Sequence, residues 1–259
     1  MCGRLSIQTA QLTRLLMSIM QETYPGEDDY NAAPTQTLPV IRRGADGGFE
    51  CMPMRWWLTP SWSQAPTTQY SMFNAKVETA AKSPAFKKPF QKQRCVVPVS
   101  GFYEWYRGVN RKQPFLINDQ GRKGLLLAGI WDAWRPKGGA GAAAELLSFS
   151  LLTAAAHENL LELHHRQPIF LTMEQALDWL DPSNATEPMA ADLASTLPVP
   201  LQMTPVSREV NNVRNKGARC AQALARSCEV SANISFKAAD LSTMEKAKPV
   251  EQESFIADS

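Results

Sequence analysis

The second residue carries the least ordinary chemistry in the chain. Once Met1 is removed, which a small second side chain permits, the chain begins with Cys2 bearing a free α-amine beside its thiol. An α-amine titrates near pH ~7.7–8.0, so a good fraction is neutral and nucleophilic near neutrality. Such a 1,2-aminothiol can attack an aldehyde through nitrogen and then close through sulfur into a five-membered thiazolidine. It can equally act as a thiol nucleophile with its own amine as base, as N-terminal nucleophile hydrolases do. A cysteine at position 2 can also be an accident of the start codon, and position alone leaves these readings open.

The three histidines of the chain, His157, His164 and His165, fall within nine residues. The clustering suggests a site, but no spaced Cys or carboxylate partners accompany them, so the pattern is a poor metal set. For any one of them a structural role competes with acid–base work. Glu104 sits in GFYEWY among Phe102, Tyr103, Trp105 and Tyr106. A carboxylate among aromatic rings can have its pKa raised and serve as an acid–base group, or it can point from a strand into solvent. Lys82, Lys87, Lys88, Lys92 and Arg94 form a basic run without an acid, and MRWWLTPSW gathers Trp56, Trp57 and Trp62. Cations interleaved with aromatics suit single-stranded nucleic acid, where phosphates meet charge and bases stack on rings. A solvated face over an aromatic core would leave the same trace.

These residues need a scaffold. QTAQLTRLLMSIMQ (8–21) has the spacing of an amphipathic helix. From Leu38 to Ile130 the chain changes to short apolar runs cut by Gly and Pro, among them LPVIR, RCVVPVSGFYEW, KQPFLIND and GLLLAGIWDAW, which read as strands. LLSFSLLTAA (146–155) is a further strand, Thr172 and Gln175 make a capping box for MEQALDWL, and MAADLASTL reads as a second short helix. The expected class is α+β, a mostly antiparallel, barrel-like sheet flanked by a few helices.

With 259 residues and 44% hydrophobic content, the chain is long enough for a substantial core. No apolar run reaches the ~18–20 residues of a membrane span, and MCGRLSIQTA is not a signal peptide. Basic and acidic residues number 27 and 25, so bulk charge does not by itself announce a nucleic-acid binder. Five scattered cysteines without a CxxC pair fit reduced thiols in a cytoplasm. GGAGAAAE (138–145) reads as a loop. After Cys228 the chain loses Trp and Tyr and carries six acids against three lysines. One domain over 1–227 and a disordered acidic tail over 228–259 are therefore expected. No feature calls for a metal, a cofactor, a membrane or an oligomer, so a monomer is expected.

Taken together the motifs resemble the SOS response-associated peptidase (SRAP) family of abasic-site proteins. The resemblance runs in order through MCGR, YNAAPTQ (30–36), MRWWLTPSW (54–62), FNAKVETA (73–80), RCVVPVSGFYEW (94–105), KQPFLI, AGIWD, LLTAAA, HHRQP (164–168) and VSREVNNVRNKG (206–217). It implies a compact α+β domain that crosslinks to abasic sites in single-stranded DNA through Cys2. The peptidase of the family name is then the release of Met1, and elimination from an imine intermediate would give a minor lyase activity.

The same resemblance implies roles for particular residues. Asn74 would orient the Cys2 amine and the sugar, Glu104 would shuttle protons, and His164 would protonate the sugar ring oxygen. Arg4 and Arg166 would hold phosphates, and Trp62 would stack on a base. Lys76 stands where the family has Arg; it keeps the charge and loses the bidentate fork. His165 falls on a variable position and receives no role, and Gln167 departs from the family's Met or Arg without an expected consequence. The alternatives are an N-terminal nucleophile hydrolase or glutamine amidotransferase, and a non-covalent single-stranded DNA binding module.

Overall fold

The computed structural model describes residues 2–67, 69–107, 112–136, 145–224 and 226–231. The first half of the chain runs β1 (Leu5–Ile7), α1 (Thr9–Met20), β2 (Asp29–Ala32), β3 (Thr37–Arg43), β4 (Phe49–Trp56), β5 (Asn74–Lys76), α2 (Val77–Ala80), α3 (Lys87–Lys92), β6 (Arg94–Val99) and β7 (Gly101–Arg107). The second half adds β8 (Lys112–Asp119), β9 (Leu125–Trp134), β10 (Leu146–Ala155), β11 (Arg166–Pro168), β12 (Phe170–Leu171), α4 (Met173–Leu180), α5 (Thr186–Ala194), β13 (Leu201–Pro205) and β14 (Cys228–Val230).

Strands β6 and β9 are buried along nearly their whole length, which is why their sequences are continuous apolar runs and not alternations. They lie in a sheet of order β10–β4–β3–β6–β9 that closes because β9 also pairs with β10. One face of each strand looks into this five-stranded barrel. On the other, Trp179 of α4 is fully buried and its indole N–H donates to the Cys95 and Gly129 carbonyls at 3.1 and 3.3 Å. The pairings of β10 with β4 and β5 are parallel, and the other pairings are antiparallel. The expected α+β class with a barrel-like sheet is what the chain forms.

A second, antiparallel sheet runs β14–β13–β8–β7–β1–β2. The stretch read as one strand, RCVVPVSGFYEW, breaks at Ser100 and hands the chain from the barrel to this sheet. Gly101 makes the transfer feasible: a Cβ there would lie 2.7 Å from the Ile117 carbonyl oxygen, far inside van der Waals contact.

The helix expected over 8–21 spans Thr9–Met20, buries Leu12 and Leu16, and ends at Gln21 in the left-handed region (φ 59°). Both hydrogen bonds of the Thr172–Gln175 capping box are formed. Two expectations of the sequence reading need amending. Lys87–Lys92, read only as a basic run, is a short helix. The boundary at 227 is too early, because Cys228–Val230 pair with Leu201–Met203 and extend the second sheet. The tail from 232 and all but Glu145 of the Gly/Ala-rich loop over 138–145 lie outside the described residues.

Candidate active site at the N-terminal cysteine

Cys2 is fully buried, held between the two sheets by its own backbone. Asn74, the first residue of β5, donates from Nδ2 to the Cys2 carbonyl at 2.7 Å. Two residues on, the Arg4 carbonyl accepts from the Tyr103 N–H of β7 at 2.9 Å. The N-terminal segment is thereby pinned on both sides. Asn74 Oδ1 is also buried and has no partner among the described residues.

Glu104 follows Tyr103 on β7 and is 5% exposed. Burial pushes its carboxyl above the usual range, with the positive charge of the chain's amino terminus opposing. Burial likewise pushes the Cys2 thiol far above the ordinary thiol range, and the neighbouring Glu104 charge adds to the effect. The site therefore holds Cys2 as a neutral thiol and makes Glu104 a weaker acid than an exposed carboxyl.

The histidine cluster separates into distinct roles. His157 accepts from the Asn159 N–H and caps the turn over Glu158–Leu160, a structural task. His164 and His165 stack with ring centroids 4.3 Å apart and planes 28° from parallel. His164 Nδ1 lies 3.0 Å from both the N–H and the carbonyl oxygen of Arg166. A bare Nδ1 accepts from the first and a protonated one donates to the second, so either state has a backbone partner. His165, which the sequence reading passed over, is exposed. The His164 charge holds it below the usual histidine range, burial and the amino terminus add to the shift, and Glu104 opposes it. His165 thus shares an electrostatic field with Glu104, and that link was invisible in a motif whose middle position is variable.

Both arginines expected to hold phosphates are engaged within the fold. Arg166 makes a bidentate pair with Glu78 of α2 at 2.6 and 3.0 Å, and also bonds the Thr153 carbonyl and hydroxyl of β10. Arg4 donates to Asn31 Oδ1 and the Val210 carbonyl, each at 2.7 Å, and lies 5.7 Å from the centroid of the Trp105 ring. Buried Asn31 in turn donates to the Asn212 and Asn215 carbonyls, and Lys216 bridges Asp29, the Asn31 carbonyl and Gln36. The VNNVRNKG segment is therefore lashed to β2. Glu78, Asn31 and Lys216 lay inside quoted motifs, yet only contacts across the fold show their work.

The clustered tryptophans part company. Trp56 is fully buried, stacked on Phe149 with centroids 6.3 Å apart, and its indole N–H donates to the Phe73 carbonyl. Trp57 is half-buried against Phe73. Trp62 stands 58% exposed, with its indole N–H donating at 3.3 Å to the Pro84 carbonyl. Lys76, Lys82, Lys87, Lys88, Arg208 and Arg214 are exposed, and Arg94 is buried. Among the described residues no helix is long and apolar enough to cross a membrane, and no three His, Cys, Asp or Glu gather as a metal site.

Residues 1–213 match the family model described as SOS response associated peptidase (SRAP). The chain is 32% identical to abasic site processing protein YedK of Escherichia coli (strain K12), covering 86% of this chain and 99% of that one. It is 30% identical to abasic site processing protein YoaM of Bacillus subtilis (strain 168), covering 84% and 96%. Against abasic site processing protein HMCES of Rattus norvegicus the figures are 31%, 74% and 64%. A Bordetella bronchiseptica protein of known crystal structure shares the fold with a TM-score of 0.67 at 23% identity, over 80% of this chain and 100% of that one. The chain with its pinned Cys2 belongs to the SRAP family.

Proposed function

We propose that this protein acts in the DNA-damage response by binding abasic sites in single-stranded DNA and joining them covalently to Cys2. Its relatives are named abasic site processing proteins. The observation that carries the reading is the fixing of Cys2. Its carbonyl is held by Asn74 at 2.7 Å, its thiol feels the charge of buried Glu104, and the Asn74 Oδ1 acceptor has no partner among the described residues.

The reaction starts after water is added across the Met1–Cys2 peptide bond, a step this reading gives to the protein itself with Glu104 moving the proton. Asn74 Oδ1 then accepts from the new Cys2 amine. His164 gives a proton to the furanose ring oxygen while the C1′ hydroxyl loses its own to solvent, which opens the sugar to the aldehyde. The Cys2 nitrogen adds to C1′, the resulting hydroxyl takes a proton from Glu104 and leaves as water, and the nitrogen returns a proton to Glu104, giving an imine. The Cys2 sulfur, kept protonated by burial, bonds to the imine carbon and its proton passes to the ring nitrogen. One water is lost overall, and the product is a thiazolidine. Loss of a C2′ proton from the imine with departure of the 3′ phosphate is the minor lyase branch. Trp62 supplies a stacking face, worth ~1–3 kcal/mol per base, and Lys76 supplies charge to a phosphate. The protein works as a monomer in the cytoplasm.

The test mixes Met1-free protein, confirmed by mass, with single-stranded DNA carrying one abasic site, followed by a denaturing gel. The expected band is shifted by the oligonucleotide mass, appears only with the abasic site, and is absent for Cys2→Ala. Cys2→Ser retains only a reversible imine, trapped by borohydride. A Cys2→Ala variant that crosslinks like the parent would overturn the thiazolidine. The lack of any shift would leave a non-covalent binding module or an amidotransferase, the latter read out by ammonia release from glutamine.

A further inference from the structure

Apart from the residues that hold Cys2, a cavity of about 340 Å³ is lined by residues that include Arg43, Gly44, Gly47, Lys92, Arg94 and Trp131, and no acid is among its lining residues. Strand β6 connects the two places. Arg94 opens it, and Ser100, just past its end, donates its N–H to the Ser6 carbonyl beside the N-terminal segment. Six strand residues span roughly 20 Å, so the cavity is separate from the cysteine site.

Arg94 is 6% exposed, yet among the described residues no carboxylate pairs with it. Its guanidinium donates to the Asp181 and Asn184 carbonyls and the Thr186 hydroxyl, and lies 5.4 Å from the centroid of the Trp179 ring. The Asp181 carboxylate is turned to the Ser183 N–H and hydroxyl at 2.9 and 2.7 Å. It reaches Arg43 and Arg94 only as a distant charge. Arg43 and Lys92 are exposed, and neither forms an ion pair among the described residues. A buried cation without a counter-ion is costly, and here three cations meet at one concavity. Neutral carbonyls solvate Arg94 without cancelling its charge, and the Asp46 carboxylate beside the lining loop accepts from the Gly48 N–H at 2.9 Å.

We propose that this cavity binds a phosphoryl group, with Arg43 and Lys92 as its mobile clamps, Arg94 as the fixed charge behind them and Trp131 as a wall for the attached nucleoside. The phosphoryl group comes from a free nucleotide or from the DNA backbone, and both present the same anion. The site does not depend on Cys2 chemistry.

Isotope-labelled full-length protein is titrated with inorganic pyrophosphate, with thymidine monophosphate, and with a single-stranded oligonucleotide lacking an abasic site. The Gly44 and Gly47 amides and the Trp131 indole N–H are followed by NMR. Saturable shifts at these positions are expected, weakened roughly tenfold in Arg43→Ala/Lys92→Ala by loss of two charge-assisted contacts. Arg14→Ala/Lys123→Ala, which removes the same charge from exposed positions elsewhere, is expected to leave them unchanged. Tighter binding of the oligonucleotide identifies the backbone as the source, and tighter binding of the mononucleotide identifies a free nucleotide. Shifts that do not saturate with any probe, or that the Arg43/Lys92 variant leaves intact, overturn the site.

Discussion

Glu104 is a carboxyl that the fold holds above its ordinary pKa by burial. A raised group contributes stability that is complete below its unfolded pKa and is lost as pH rises through the folded value. Glu104→Gln cannot ionise, so it is expected to raise Tm at pH 8 and to leave it nearly unchanged at pH 4. The gain should be roughly 2–4 °C, the shift that about 1 kcal/mol produces in a domain this large. The same variant should slow crosslinking, and a Tm that falls at pH 8 would show that the ionised form is the one the fold prefers. The stacked histidines supply a second expectation. Because the His164 charge is the main cause of the low His165 value, His164→Ala should move the NMR titration midpoint of His165 upward. An unmoved midpoint would mean that the stacking does not couple them. The catalytic candidates Cys2, Asn74, Glu104 and His164 were readable because their residue types are chemically conspicuous and sit in dense motifs. His165 was not, since its part comes from the ring it touches and not from its own position in a motif.

Among the elements, α2 and β11 are tied by the Glu78–Arg166 pair, whose arginine side chain is 10% exposed and whose glutamate is 47% exposed. Burial acts to raise the Glu78 carboxyl, but the Arg166 hydrogen bond and charge outweigh it and leave the group below the usual range. Stability from a lowered carboxyl is present above its unfolded pKa and lost as pH falls through the folded one. Glu78→Gln should therefore cost a little stability at pH 7 and nothing at low pH, within the ~0–1 kcal/mol of a solvent-exposed pair. It also frees the Arg166 fork for a phosphate, so affinity for single-stranded DNA should rise severalfold in a fluorescence titration. A fall in affinity would identify Glu78 as the group that aims Arg166. Element types followed the apolar periodicities well: α1, α4, β3, β9 and β10 stand where their patterns put them. The short strands β1, β2, β13 and β14 did not announce themselves, because three to five residues pinned by distant partners carry little pattern of their own. The tryptophan cluster misled in the same way, since a sequence does not say which of three neighbouring rings faces the core.

For the whole molecule, exposed lysines and arginines together with the covalent step proposed at Cys2 would separate encounter from retention. Raising salt should weaken initial binding to abasic single-stranded DNA, with the logarithm of affinity falling about linearly in the logarithm of salt. It should leave a finished adduct intact on a denaturing gel, and an adduct that dissolves in salt would contradict covalency. The barrel topology was only partly foreseeable, because closure depends on β9 pairing with two strands at once and on the switch of sheet at Gly101. The bond from Arg4 to the Val210 carbonyl has a consequence in time. Its partners are 206 residues apart, and ribosomes add ~5–20 residues per second. The N-terminal segment thus waits roughly 10–40 s from its synthesis before its last tether exists. If the folded protein itself releases Met1, the α-amine of Cys2 stays locked in a peptide bond throughout that interval. Small aldehydes in solution then meet no free aminothiol on the nascent chain, and the reactive pair is made only where it is already enclosed.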